Sequence, residues 1–122
     1  MECLSAAKGL ISLGSYKDAA NRAYYAIFHV MRSVLAFDEI DMKHHSGIMA
    51  QFRRLYIKTG IFDKELSNII TEAFTIRSDS DYDDFFIVSK SEVEEQVQNA
   101  EFFLKTIQSY LQTKSPLEES NE

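Results

Sequence analysis

Proline occurs once in these 122 residues, at Pro116, glycine four times and tryptophan not at all. With breakers so sparse before Pro116, helices are the regular structure the composition favours, and no alternating strand pattern competes. The single cysteine, Cys3, excludes an intramolecular disulfide and a cysteine-built zinc cluster, and fits a reducing compartment. No stretch approaches the roughly 18 consecutive apolar residues of a membrane-spanning helix, and Met1-Glu2 opens no basic-then-apolar leader. A cytoplasmic location without a membrane partner is the expectation. Basic side chains are outnumbered, 13 against 19, and the net charge of −6 disfavours non-specific binding to duplex DNA. A Gly-rich phosphate loop, a nucleophile elbow and an HExxH pattern are all missing, which removes NTPase, hydrolase and zinc-protease readings.

The chain does have apolar side chains in quantity, 45%, with nine Phe and six Tyr, enough for one packed core. The length fits one domain, placed at residues 1–112, followed by a charged, flexible tail over 113–122. Apolar spacing predicts five helices. The first runs from about Glu2 to Leu13 and stops at Gly14. The second, expected to be the longest, follows Ser15 and reaches about Phe37, with Ala20, Ala23, Tyr24, Ile27, Phe28, Met31, Val34 and Leu35 inward. The third spans about Ser46 to Thr59, turns Ile48, Met49, Phe52, Leu55 and Tyr56 inward, and stops at Gly60. The fourth starts at Asp63, carries Leu66, Ile69, Ile70, Ala73 and Phe74, and runs to about Ile76 or a little past it. Ser89 with Glu92 forms a capping box for the fifth, whose Val93, Val97, Ala100, Leu104, Ile107 and Leu111 recur at four and three. The fold class is therefore all-α: an up-and-down bundle of four main helices plus the short first one.

A bundle of this kind carries many functions, so the chemistry must be sought in particular residues. On the second helix Arg22, Tyr25 and His29 make a second stripe beside the apolar one. Arg22 and His29, seven apart, fall within about 20° on the helix surface and about 10 Å along the axis. There they can hold and protonate one phosphodiester, or serve structure, with Asp18 pairing Arg22 and His29 hydrogen-bonded in the bundle or at a dimer seam. A second constellation follows the fourth helix: Arg77, then aspartates at 79, 81, 83 and 84 around Tyr82. The calcium-loop template fails there, since its sixth and twelfth positions are Asp84 and Lys90. His44-His45 lacks accompanying ligands at a recognisable spacing, so no metal and no cofactor are assigned. Lys43, His44, Arg53, Arg54 and Lys58 give their region a basic character in an acidic chain, suited to an RNA-contacting surface or simply to solvent.

The run Gly14-x-Tyr16-x-x-Ala19-x-Asn21-Arg22-x-Tyr24-Tyr25-Ala26-x-Phe28-His29 resembles the small prokaryotic members of the HEPN superfamily. The resemblance continues at Lys43-His44, Phe52, Arg77, Asp81-Tyr82, Ala100 and Leu104, and so covers about Leu4 to Leu111. It implies a helical bundle that forms homodimers, often encoded beside a minimal nucleotidyltransferase as a toxin–antitoxin pair. Active members are metal-independent ribonucleases that carry an Arg and, four to six residues later, a His at a dimer cleft. Arg77 holds the place of that Arg, but five residues on stands Tyr82, a phenol whose ordinary pKa of about 10 makes it a poor base at neutral pH. The tyrosine that accepts nucleotides in such toxins stands two beyond the His, where this chain has Asp84.

Two expectations follow from the resemblance. The first is a homodimeric, weakly active or inactive module binding RNA or a nucleotide through Asn21, Arg22, Tyr25 and His29, beside a nucleotidyltransferase. The alternative is a ribonuclease toxin using Arg77 with Asp81, Tyr82 or His29. A plain helical interaction domain is the third reading.

Overall fold

The computed structural model describes residues 2–37, 45–82 and 88–114. Its helices are α1 (Glu2–Ser12), α2 (Tyr16–Phe37), α3 (His45–Phe52), α4 (Lys64–Tyr82) and α5 (Lys90–Lys114), with a π-helical segment, Arg53–Ile57, continuing α3. No strand occurs among the described residues, and the all-α bundle follows the apolar periodicity of the sequence. Helix α2 is the hub and packs against α1, α3, α4 and α5. Its inward row of Ala20, Ala23, Tyr24, Ile27, Met31, Val34 and Leu35 is almost fully buried, the consequence of apolar residues repeating every three or four positions. Ala19 and Ala26, beside this row, are buried as well.

Gly14 and Gly60 lie at φ 79° and 85°, the left-handed conformation that closes α1 and the turn after the π-helical segment. Ser89 starts α5 as its spacing predicts: Glu92 N–H donates to Ser89 Oγ at 3.2 Å, and Ser89 N–H donates to Glu92 Oε1 at 3.3 Å. Val88 and Val93, just before the cap and four residues past it, are both buried, at the positions of a hydrophobic staple. With no breaker before Pro116, α5 continues to Lys114 and at 25 residues is longer than the 22-residue α2.

Two further expectations give way. Helix α4 runs not just a little past Ile76 but on to Tyr82, so the backbone around Arg77, Asp81 and Tyr82 is helical. Phe74 is not in the core: 37% of it is exposed, because position 74 sits about 90° around the helix from the centre of the stripe formed by the buried Leu66, Ile69, Ile70 and Ala73. The third helix also changes form where Lys58 N–H donates to Arg53 O at 2.8 Å, a bond one residue longer than an α-turn. Around it Phe52, Tyr56, Phe62, Phe103 and Tyr110 form one aromatic cluster with ring centroids 5.1–5.8 Å apart. Among the described residues no helix is long and apolar enough to cross a membrane.

Candidate functional site

Tyr24 and Tyr25 stand three and four residues after Asn21 on α2, one turn along the same side, and face the C-terminal half of α4. Arg77 reaches them from α4. Its Nε donates to Asn21 Oδ1 at 3.4 Å and its Nη2 to Tyr25 Oη at 3.5 Å, both long hydrogen bonds. The guanidinium carbon lies 5.4 Å from the centroid of the Tyr24 ring and 5.8 Å from that of Tyr25, within the range of a cation–π contact. The two stretches singled out in the sequence, one on α2 and one after residue 76, thus meet at a single half-buried arginine.

Electrostatics follow from this packing. Burial pushes the Tyr24 phenol above its ordinary pKa of 10.0; the Arg77 charge opposes that rise and Tyr25 adds to it. Tyr24 therefore stays a neutral ring under the guanidinium at physiological pH. Tyr24 also packs edge-on against Tyr25, at 5.3 Å, and against Phe74, at 6.1 Å. A planar cation laid over two rings and donating to an amide oxygen and a phenol oxygen has a fixed orientation, the geometry with which arginine addresses phosphate or carboxylate oxygens.

Of the α2 candidates, Asn21 and Tyr25 touch Arg77 directly. His29 is exposed on the next turn, its ring 5.9 Å from that of Tyr25 and 5.8 Å from that of Phe28, so it flanks the site through Tyr25. Arg22 is exposed on the same face, and among the described residues it makes no ion pair with Asp18. The backbone of Asp81 and Tyr82 falls in the last turns of α4, while their side chains lie outside the described residues, as do Lys43, His44, Asp83, Asp84 and the His45 side chain. Tyr24, placed by its spacing in the apolar stripe and by the resemblance in the α2 motif, is also part of the site; the Asn-x-x-Tyr-Tyr run opposite Arg77 is the signal that marks it. Among the described residues no group of three or more His, Cys, Asp or Glu converges as a metal site would require.

In the basic region, Arg53 is held against α4: Nε donates to Ser67 Oγ at 3.0 Å, and Nη2 to Ser67 O at 3.2 Å and Thr71 Oγ1 at 2.6 Å. Arg54 folds back onto Gln51 Oε1 at 2.6 and 3.1 Å, and Lys58 is exposed.

Comparison with known proteins places these features in a family context. The model of the HEPN domain matches residues 1–110. A protein of Methanocaldococcus jannaschii named "Putative toxin MJ0142" is 34% identical over 119 residues, which are 98% of this chain and 81% of that protein. A UPF0332 protein of Thermotoga maritima is 32% identical over 111 residues, 91% of this chain and 84% of the relative. A second Methanocaldococcus jannaschii protein, "Putative toxin MJ0605", is 34% identical over 110 residues, 90% of this chain and 81% of its own.

Proposed function

The chain belongs to the HEPN domain family, and from that premise we propose that it is a homodimeric RNA- or nucleotide-binding module with little or no nuclease activity. Its partner is a minimal nucleotidyltransferase, and the pair works as a toxin–antitoxin system. One observation carries the reading: the Arg77 guanidinium is seated across α2 on Asn21, Tyr24 and Tyr25, a cation oriented to receive a phosphate. On the same face of α2, Arg22 supplies further positive charge and His29 a hydrogen-bonding imidazole around that phosphate. Low activity follows from the identity of residue 82: a tyrosine stands where a proton-transferring histidine is expected. The toxin names of two relatives support the pairing with an antitoxin.

A second reading, the metal-independent ribonuclease, has its own supporting observation. Tyr25 touches Arg77 on one side and His29 on the other, so an imidazole from α2 flanks the arginine where the family's own histidine is missing. In this mechanism Arg77 holds the scissile phosphate, His29 takes the proton of the 2′-hydroxyl as its oxygen bonds to phosphorus, and the P–O5′ bond breaks with that proton passing to the leaving 5′-oxygen, which leaves a 2′,3′-cyclic phosphate.

Incubation of the purified protein with mixed RNA in EDTA, alongside Arg77→Ala and His29→Ala, tests both. The binding module predicts no cleavage by any of the three and loss of RNA affinity in Arg77→Ala. Cleavage abolished by either substitution makes the protein a ribonuclease, and RNA affinity untouched by Arg77→Ala refutes the arginine's assigned role.

A further inference from the structure

Ser67, Thr71, Phe74 and Ser78 recur at intervals of four, three and four, and so line one side of α4. Arg53 is fastened to the beginning of this strip through Ser67 and Thr71. Arg77 stands at its far end, over the ring of Tyr24, which in turn packs against Phe74. The two arginines are thereby separated by an exposed aromatic ring, with about 9 Å of helix axis between residues 71 and 77. Three features set this strip apart from ordinary surface. Among the described residues, Phe74 is one of four large apolar side chains left exposed, with Leu13, Ile61 and Phe102. Arg53 is held by a hydroxyl, a carbonyl and a second hydroxyl, and among the described residues no carboxylate neutralises it. Its mooring also begins in a π-helical turn, a departure from α-helix found frequently at functional sites.

Resting on the RNA-binding reading above, we propose that Arg53, Phe74 and Arg77 form a platform for single-stranded RNA, the arginines taking phosphates on either side of a base that stacks on Phe74. Charge complementarity selects the occupant. A cationic track interrupted by an aromatic face is what an unpaired strand requires, because every base presents a π-face and every linkage an anion. Duplex does not fit, since its bases are already stacked on each other.

The test is fluorescence anisotropy of a labelled oligouridine, titrated with the full chain and its variants at several salt concentrations. Phe74→Ala should weaken binding roughly tenfold with the salt slope unchanged, and Phe74→Trp should retain or improve it. Arg53→Ala should weaken binding and lower the slope of log affinity against log salt by about 0.7, one phosphate's worth. If Arg53→Ala does not fold, Phe74→Ala decides alone, since that side chain is partly exposed. Unchanged binding in Phe74→Ala while Arg77→Ala loses affinity overturns the platform and leaves the Arg77 reading standing. Phe74→Ala that turns a dimer into a monomer in sedimentation with RNA affinity intact overturns it in favour of contact between copies of this chain. Absence of RNA binding by the unmodified protein overturns the underlying reading, and the platform with it.

Discussion

The Arg77 guanidinium lies 5.4 Å from the centre of the Tyr24 ring, so a charge carried by α4 rests on a residue whose own helix is the hub of the bundle. This makes the position of the cation a property of α2–α4 packing rather than of a loop. It also means that Tyr24 has two duties, filling the core at 1% exposure and presenting a π-face to Arg77. A phenolate there would lose the first contact to desolvation even as it gained from the second. The direction of the Tyr24 shift, upward and dominated by burial, says that desolvation wins.

That shift predicts an alkaline limit to stability. A tyrosine whose pKa is raised on folding holds its proton more tightly in the native state, so its stabilising effect is complete below the unfolded value of 10.0 and fades as pH climbs through the folded value. Melting temperature should fall from about pH 10 upward. Tyr24→Phe keeps the ring and removes the titration, and should flatten that fall; an ultraviolet titration of the folded protein should show one fewer late-ionising phenol. An unaltered alkaline limb in Tyr24→Phe would assign the effect to another group.

Arg77→Lys separates charge from geometry. A lysine keeps the cation but cannot address Asn21 and Tyr25 with one planar fork, nor lie flat on two rings. RNA affinity should drop in Arg77→Lys while the salt slope is preserved, whereas Arg77→Ala should lose affinity and about 0.7 of slope. Equal affinities for the arginine and lysine forms would mean that a point charge suffices and that the fork is structural.

The helices were legible in the sequence because their cause is local. Apolar residues at three and four spacing, glycines at 14 and 60 and the Ser89-Glu92 box each act within a turn or two of chain, and each reappears in the structure. The end of α4 was misread for the opposite reason: the aspartates that discourage helix locally are overridden there by an uninterrupted helical backbone through Tyr82. Phe74 stands at the edge of the α4 stripe, about 40° from Ile70 but about 100° from Ala73, and periodicity alone does not say how far the packed face extends. The meeting of Arg77 with Asn21 and Tyr25 spans more than fifty residues of chain, and no periodicity encodes that. The motif on α2 identifies one side of the contact and Arg77 the other, but only packing joins them.

Ser89 offers a clean local test of the capping box. Its Oγ accepts from Glu92 N–H at 3.2 Å and donates to Glu92 Oε1 at 2.9 Å. Ser89→Ala should cost about 1 kcal/mol and lower the melting temperature by a few degrees, with Ser89→Asp restoring most of it. Chemical denaturation reads the difference directly, and a neutral Ser89→Ala would show that the buried Val88 and Val93 fix the start of α5 unaided.

Between α4 and α5 a buried amide depends on a surface carboxylate. Gln96 is only 2% exposed; its Nε2 donates to Glu72 Oε1 at 2.9 Å, while its Oε1 receives no hydrogen bond from the described residues. Removing one partner and removing both should therefore have different effects. Glu72→Ala strands a buried donor and should destabilise by about 1–3 kcal/mol. Gln96→Met replaces the amide with an apolar chain of similar reach and should be neutral or stabilising, and in its presence Glu72→Ala should cost almost nothing. This is a double-mutant cycle with a predicted coupling of one sign, read from denaturant midpoints of the four proteins. Additive losses would show that Glu72 and Gln96 act independently, and that the amide serves a purpose other than tying α4 to α5.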